Sequence, residues 1–171
     1  MDAQSTPATA DDSGHGGLQI LIGAGPSRFV ADEPVAVGGL SLGPTPHDLV
    51  SAGLAACTSQ TLRLYAKRKA WPLGAVHVEV THTRKAGEQP ADTFIRHIRL
   101  GGELSDEQRT RLMEIADMCP IHRLLTAGAR VTTEMDSFSP SFALSQRLQS
   151  ERPPSTNKSI PVTKPAPGEA R

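Results

Sequence analysis

The segment Gly43-Pro44-Thr45-Pro46-His47-Asp48-Leu49-Val50-Ser51-Ala52-Gly53-Leu54-Ala55-Ala56-Cys57-Thr58 opens on glycine and proline and then runs into small and apolar residues. Gly38 to Pro46 is too rich in Gly and Pro for regular structure and reads as a loop, whereas residues 47 to 70 carry a helical period. Val50, Leu54, Cys57, Thr61 and Leu64 recur at spacings of four and three, which predicts one stripe of a long helix. Ala52, Gly53, Ala55 and Ala56 beside it are small enough to let another backbone approach. Arg63, Lys67, Arg68 and Lys69 load the C-terminal end, where cations suit the helix dipole, and Trp71-Pro72 stops the helix.

Upstream of this helix, Leu18 to Ile22 and Arg28 to Ala31 read as two short strands turned by Gly23, Gly25 and Pro26. Asp32-Glu33 before Pro34 reads as a solvated turn. Downstream, Val76, Val78 and Val80 alternate with His77, Glu79 and Thr81. A second alternating stretch, Phe94 to Leu100, should pair with them antiparallel across the polar turn Ala86 to Pro90. Ser105 with Gln108 forms a capping box for a further helix through Leu112, Ile115 and Ala116 to Met118. A short helix Ile121 to Ala127 and a strand Ala129 to Met135 complete the order. Strands, helix, strands, helices and strand in that sequence predict an α+β domain, not the strict alternation of a parallel sheet.

The chain has 171 residues, with 18 basic and 18 acidic side chains. One compact domain is expected over residues 17–137, between a small, polar tail (1–16) and a Pro/Ser-rich tail (138–171), both expected to be disordered. Phe138, Phe142, Ala143 and Leu144 are candidates to dock back on the domain. The balanced charge, without a basic run, gives no footprint for nucleic acid or an anionic membrane. Met1 is followed by no cationic start and no apolar stretch, and no apolar run approaches the about 20 residues that span a bilayer, so a cytoplasmic protein is expected.

Cys57 and Cys119 are the two cysteines of the chain. In a reducing compartment a lasting structural disulfide is unexpected, whereas a transient catalytic one is the usual exception. Cys57, on an apolar stripe, has an inert core thiol as its plain reading. Cys119 is placed differently: it stands at the N-cap of the helix begun by Pro120, where free amides and the positive dipole end stabilise a thiolate. Cys119 and His122 form a C-x-x-H spacing and, with Cys57, the start of a zinc site, but no second close pair supplies a fourth ligand and no metal is expected there. His77 and His97 fall in strand patterns and read as exposed, while His122 could place a charge near the Cys119 thiolate.

The stretch from Gly43 to Thr58, joined to the distant Cys119-Pro120-Ile121-His122-Arg123, resembles the OsmC/Ohr family of osmotically inducible and organic-hydroperoxide-resistance proteins, and its OsmC-like branch in particular. The likeness spans roughly residues 17–136. It implies an intertwined homodimer in which antiparallel sheets of two subunits enclose central cysteine-bearing helices, with active sites at the interface. By carry-over, Cys57 is the peroxidatic thiol, which attacks the O–O bond of a hydroperoxide, and Cys119 is the resolving thiol, which condenses with the sulfenic acid into a disulfide. A dithiol reductant, a lipoylated protein in the case of Ohr, then resets the pair, and no cofactor is implied. The family also supplies an arginine, held by an acid, to steady the departing oxygen. Arg28 is the one arginine before Cys57. Where Ohr carries glutamate, ten residues before the cysteine, this chain has His47, with Asp48 next to it. Ten residues rise about 15 Å, so neither could touch Cys57 of its own continuous helix, and as catalytic residues they are expected to serve the partner's site or to orient Arg28. A non-catalytic, ligand-binding or redox-sensing protein on the same scaffold is the alternative.

Overall fold

The computed structural model describes residues 7–136. The chain runs β1 (Thr9–Asp12), β2 (Ile20–Ala24), β3 (Ser27–Ala31), a short 3-10 turn (Val35–Val37), α1 (Pro46–Arg68), β4 (Val76–Arg84), β5 (Asp92–Leu100), α2 (Asp106–Asp117) and α3 (Pro120–Ala127). This is the expected α+β order with antiparallel pairing throughout. The β2–β3 hairpin closes on Gly25-Pro26, with Ala24 opposite Ser27. Gly25 takes φ +56° at the first central position, which a type II′ hairpin turn requires.

Two expectations are overturned at the ends of the domain. Residues 9–12 are not part of a structureless tail: they pair antiparallel with β2, from Thr9 opposite Gly23 to Asp12 opposite Ile20. An edge strand needs only main-chain bonds to its neighbour, so its polar, largely exposed side chains gave no hydrophobic alternation to read. Conversely, Ala129 to Met135 forms no strand. Val131 and Met135 are 85% and 99% exposed, and among the described residues no strand lies beside the segment to complete a ladder. Phe138, Phe142, Ala143 and Leu144 fall outside the described residues.

α1 packs across one face of the long β4–β5 hairpin, whose register runs from Val76 opposite Leu100 to Arg84 opposite Asp92. Side chains at 76, 78, 80 and 82 turn inward, while His77 and His97 are exposed as expected. The core joins Leu62 and Ala66 of α1 to Leu104 and to Leu112, Ile115 and Ala116 of α2, flanked by Tyr65, Trp71, Leu73, Val76, Ile98 and Leu100. Both long helices are capped as their sequences ask. Thr45 and Asp48 close a reciprocal box on α1, with Pro46 at its first position, and Ser105 and Gln108 do the same on α2.

The buried line of α1 is not the one the hydropathy pattern implied. It runs through Ser51, Leu54, Thr58, Leu62 and Ala66, leaving Val50 and Leu64 exposed. Two of the five are hydroxyl residues whose polarity hid them from an apolar stripe. Each satisfies its oxygen on the preceding turn, Ser51 Oγ donating to the His47 carbonyl at 3.0 Å and Thr58 Oγ1 to the Leu54 carbonyl at 2.7 Å. Asp32 likewise departs from its expected solvated turn. It is 2% exposed, and its carboxylate accepts from the amides of Glu33 (2.8 Å), Leu40 (2.9 Å) and Leu42 (3.2 Å), folding residues 33–42 around one side chain.

Candidate active site

Cys57 and Cys119 meet. Cys57 sits midway along α1, half-buried, and Cys119 is fully buried at the N-cap of α3, where Pro120 starts the helix. No disulfide joins them, and each bears on the other's titration. Burial pushes the Cys57 thiol up; the Ile121 amide opposes this, and the neighbouring Cys119 reinforces it. Burial acts on Cys119 in the same sense, but there the His122 amide, the Cys57 thiol, the Thr58 hydroxyl and the Ile121 amide outweigh it and bring the group below its usual range. The amides come from the first turn of α3, so the N-terminal position read from Cys119-Pro120 does act on the sulfur. The contribution of His122 comes through its backbone; its ring Nδ1 lies 3.9 Å from Asp117 Oδ1.

Behind the thiols stands a buried polar connection that the sequence reading passed over. Arg96 points inward from β5 with its side chain 11% exposed. It donates to Thr58 Oγ1 (2.9 Å), to the Ala116 carbonyl (3.1 Å) and to Asp117 Oδ1 (2.7 Å). A signal was available: in the alternation Phe94, Arg96, Ile98, Leu100, arginine occupies a core-facing position, where a charge needs dedicated partners.

Arg28, His47 and Asp48 fall elsewhere. Arg28 is exposed on β3, opposite Gly23, and its guanidinium lies over that glycine in the outer sheet. Asp48 closes the α1 cap, accepting from the Thr45 amide (2.9 Å) and hydroxyl (2.8 Å), and these bonds hold its carboxyl below the usual range. His47 opens toward a cavity of about 710 Å³, whose walls include Leu54, His82, Asp92, Phe94 and His122. α1 is continuous from Pro46 to Arg68, so neither His47 nor Asp48 reaches Cys57 of the same helix. Asp92, beside His82 at 3.0 Å and Arg84 at 3.0 Å, is held below the ordinary carboxylate range, first by the hydrogen bond from His82.

Residues 38–134 match the family model described as OsmC-like protein. The chain belongs to that family. A search of curated proteins finds no match to it. Among solved structures, the OsmC-like protein of Mycoplasma pneumoniae is 19% identical, with 74% of this chain covering 89% of that one at a TM-score of 0.59. An organic hydroperoxide resistance protein OsmC from Legionella pneumophila is 21% identical over 73% of this chain and 91% of that one, with a TM-score of 0.55. An organic hydroperoxide resistance protein from Elizabethkingia anophelis is 22% identical over 72% and 89%, also at 0.55. At such identities the likeness establishes the shared α+β fold. Among the described residues, no helix of this OsmC-like chain is long and apolar enough to cross a membrane.

Proposed function

We propose that this OsmC-like protein is a thiol peroxidase that reduces organic hydroperoxides, with Cys57 as the attacking and Cys119 as the resolving thiol. The observation that carries the reading is the meeting of two cysteines from distant segments at the start of α3. Cys57 is the more accessible sulfur and meets the peroxide. Cys119, held as the thiolate, takes the Cys57 proton as Cys57 attacks. The O–O bond breaks, the departing alkoxide takes that proton from Cys119 and leaves as an alcohol, and Cys57 is left as a sulfenic acid with Cys119 again a thiolate. Cys119 then displaces water from that acid, forming the disulfide, and an external dithiol, of which a lipoylated protein is one candidate, reduces it.

A homodimer is part of this reading. Val35, Val37, Leu42 and Leu64 stand 61–70% exposed, and a Cβ placed on Gly53 of α1 would meet nothing within 4 Å. A second subunit would cover this surface, could pair with residues 129–135, and could bring a partner's Arg28 toward the thiols. Light scattering should give twice the chain mass.

The test is mass spectrometry of the reduced protein after a near-stoichiometric pulse of organic hydroperoxide, and separately of hydrogen peroxide. Rapid formation of a Cys57–Cys119 disulfide supports the assignment, and the faster oxidant names the substrate class. Thiols that stay reduced until the protein is denatured would remove it. A second reading, a redox-sensing or ligand-binding protein, is favoured by the burial that raises the Cys57 thiol, with Asp48 committed to the cap of α1 and out of reach of that thiol. Turnover no faster than that of a free thiol would select it.

A further inference from the structure

The cavity at the start of α1 holds a second group of reactive side chains. His47 comes from the first turn of α1, His82 from β4 and Asp92 from β5, and one donor atom of each lies within 4.8 Å of the other two. His82 Nε2 faces Asp92 Oδ1 at 3.0 Å. The His47 ring stacks on His82 with centroids 4.7 Å apart and planes 10° apart, so the imidazole edges lie side by side. Phe94 also packs against the His82 ring, centroid to centroid 4.7 Å.

We propose that His47, His82 and Asp92 bind one divalent transition-metal ion of the zinc class, with a fourth, solvent-derived ligand in the cavity. Two imidazoles and a carboxylate form a donor set that zinc and its neighbours favour over magnesium or calcium, which take oxygen ligands. Metal bonds of about 2.1 Å in a tetrahedron place donors about 3.4 Å apart. The His82–Asp92 pair, at 3.0 Å, is a few tenths of an ångström inside that spacing and opens to it by a small side-chain rotation. His47 is exposed and closes the remaining gap by turning its side chain. The ion takes the place of the contact between His82 Nε2 and Asp92 Oδ1, binding the carboxylate through Oδ1. Arg84 Nη1 donates to both carboxylate oxygens, to Oδ1 at 3.2 Å and to Oδ2 at 3.0 Å; metal binding gives up the first bond and keeps the second, which orients the carboxylate from the outer shell.

The donors sit on two rigid elements, a helix and a paired hairpin, so binding would pin the start of α1 to β4–β5. About 15 Å of helix separates His47 from Cys57, so the three donors do not include the thiols, although His122 of α3 lines the same cavity, and the metal site does not depend on the peroxidase reading. Sequence spacing gave no sign of it, because His47, His82 and Asp92 belong to three separate elements.

The test is calorimetric titration of reduced full-length protein with zinc, with cobalt absorption as a second readout, on wild type, His47→Ala and Cys57→Ser/Cys119→Ser. His47 is exposed, so its replacement should leave the fold intact, which circular dichroism checks. One zinc per chain is expected, unchanged in the cysteine double variant and weakened about a hundredfold or more in His47→Ala. No saturable binding by wild type would overturn the proposal. So would binding that survives His47→Ala and disappears with the thiols, since the ion would then belong to the cysteines.

Discussion

The guanidinium of Arg96, on β5, donates a 2.9 Å hydrogen bond to the hydroxyl of Thr58, the residue after Cys57 on α1. Thr58 is fully buried and has one proton to give. That proton has two acceptors, the Leu54 carbonyl at 2.7 Å and the Cys119 sulfur. Because Arg96 already fills an acceptor position of the hydroxyl, the Thr58 O–H is aimed away from Arg96 toward these two. A cation in β5 thereby polarises a donor that stabilises a thiolate at the start of α3.

Replacing Arg96 with Met keeps most of the buried stem and removes the bonds to Thr58, Ala116 and Asp117. The Ala116 carbonyl then loses its charged donor in the interior. A loss of about 1.5–3 kcal/mol is expected from hydrogen bonds to a charged group, read as a shift of the denaturant midpoint at unchanged slope. The Cys119 thiol should also rise, through the weakened Thr58 donor. A Thr58→Val variant should show the same thiol shift while Arg96 still holds Ala116 and Asp117.

The two thiols should respond in opposite senses to each other's removal. Cys119 raises the Cys57 thiol, so Cys119→Ala should lower the apparent pKa of Cys57. Cys57 donates to Cys119 and lowers it, so Cys57→Ala should raise that of Cys119. Thiolate absorbance in the ultraviolet, followed against pH in each single variant, reads both directions. Shifts of the same sign would mean that the sulfurs do not share a proton.

Gly43 lies where the outer sheet turns into α1. A Cβ there would fall 2.1 Å from the Val30 carbonyl oxygen, and that oxygen belongs to backbone paired in β3, so it cannot swing aside. Gly43→Ala should therefore push the loop off the sheet, lowering the melting temperature and the soluble yield. Gly53→Ala, whose Cβ meets nothing within the chain, is the contrast: it should leave monomer folding alone and change association instead.

The regular elements were legible because their signals are local: period, capping boxes at Thr45 and Ser105, and the Gly25-Pro26 turn. The N-cap placement of Cys119 could be read for the same reason. What could not be read depends on partners far along the chain. The burial of Thr58 and Ser51 follows from helix and hairpin packing, and the three amides that converge on Asp32 come from a loop with no repeating pattern. Arg96 lay between these cases, visible as a charge on an inward strand position but without a partner that spacing could name. Residues 129–135 show the opposite failure, since a sequence with strand character stays unpaired when, among the described residues, no strand lies beside it.

Asp32 makes the last prediction, because it organises the whole connection from β3 to α1. Burial acts to raise its carboxyl, and the amides of Leu42, Glu33 and Leu40 outweigh this and leave it below the ordinary value of about 3.9. The folded value is depressed, so the ionised side chain contributes stability that is fully present above about pH 4 and is lost as pH falls through the folded pKa. In Asp32→Asn the carbonyl oxygen can accept from part of this set, while the new NH₂ group faces amides that also donate. The variant should melt roughly 5–10 °C lower near neutrality. Its stability should also fall less steeply than that of wild type on acidification below pH 4, since it has no carboxylate at this position to protonate. Thermal melts of both proteins between pH 3 and 7, taken in about half-unit steps, measure the difference. Parallel curves across that range would show that the Asp32 charge is not what holds the loop.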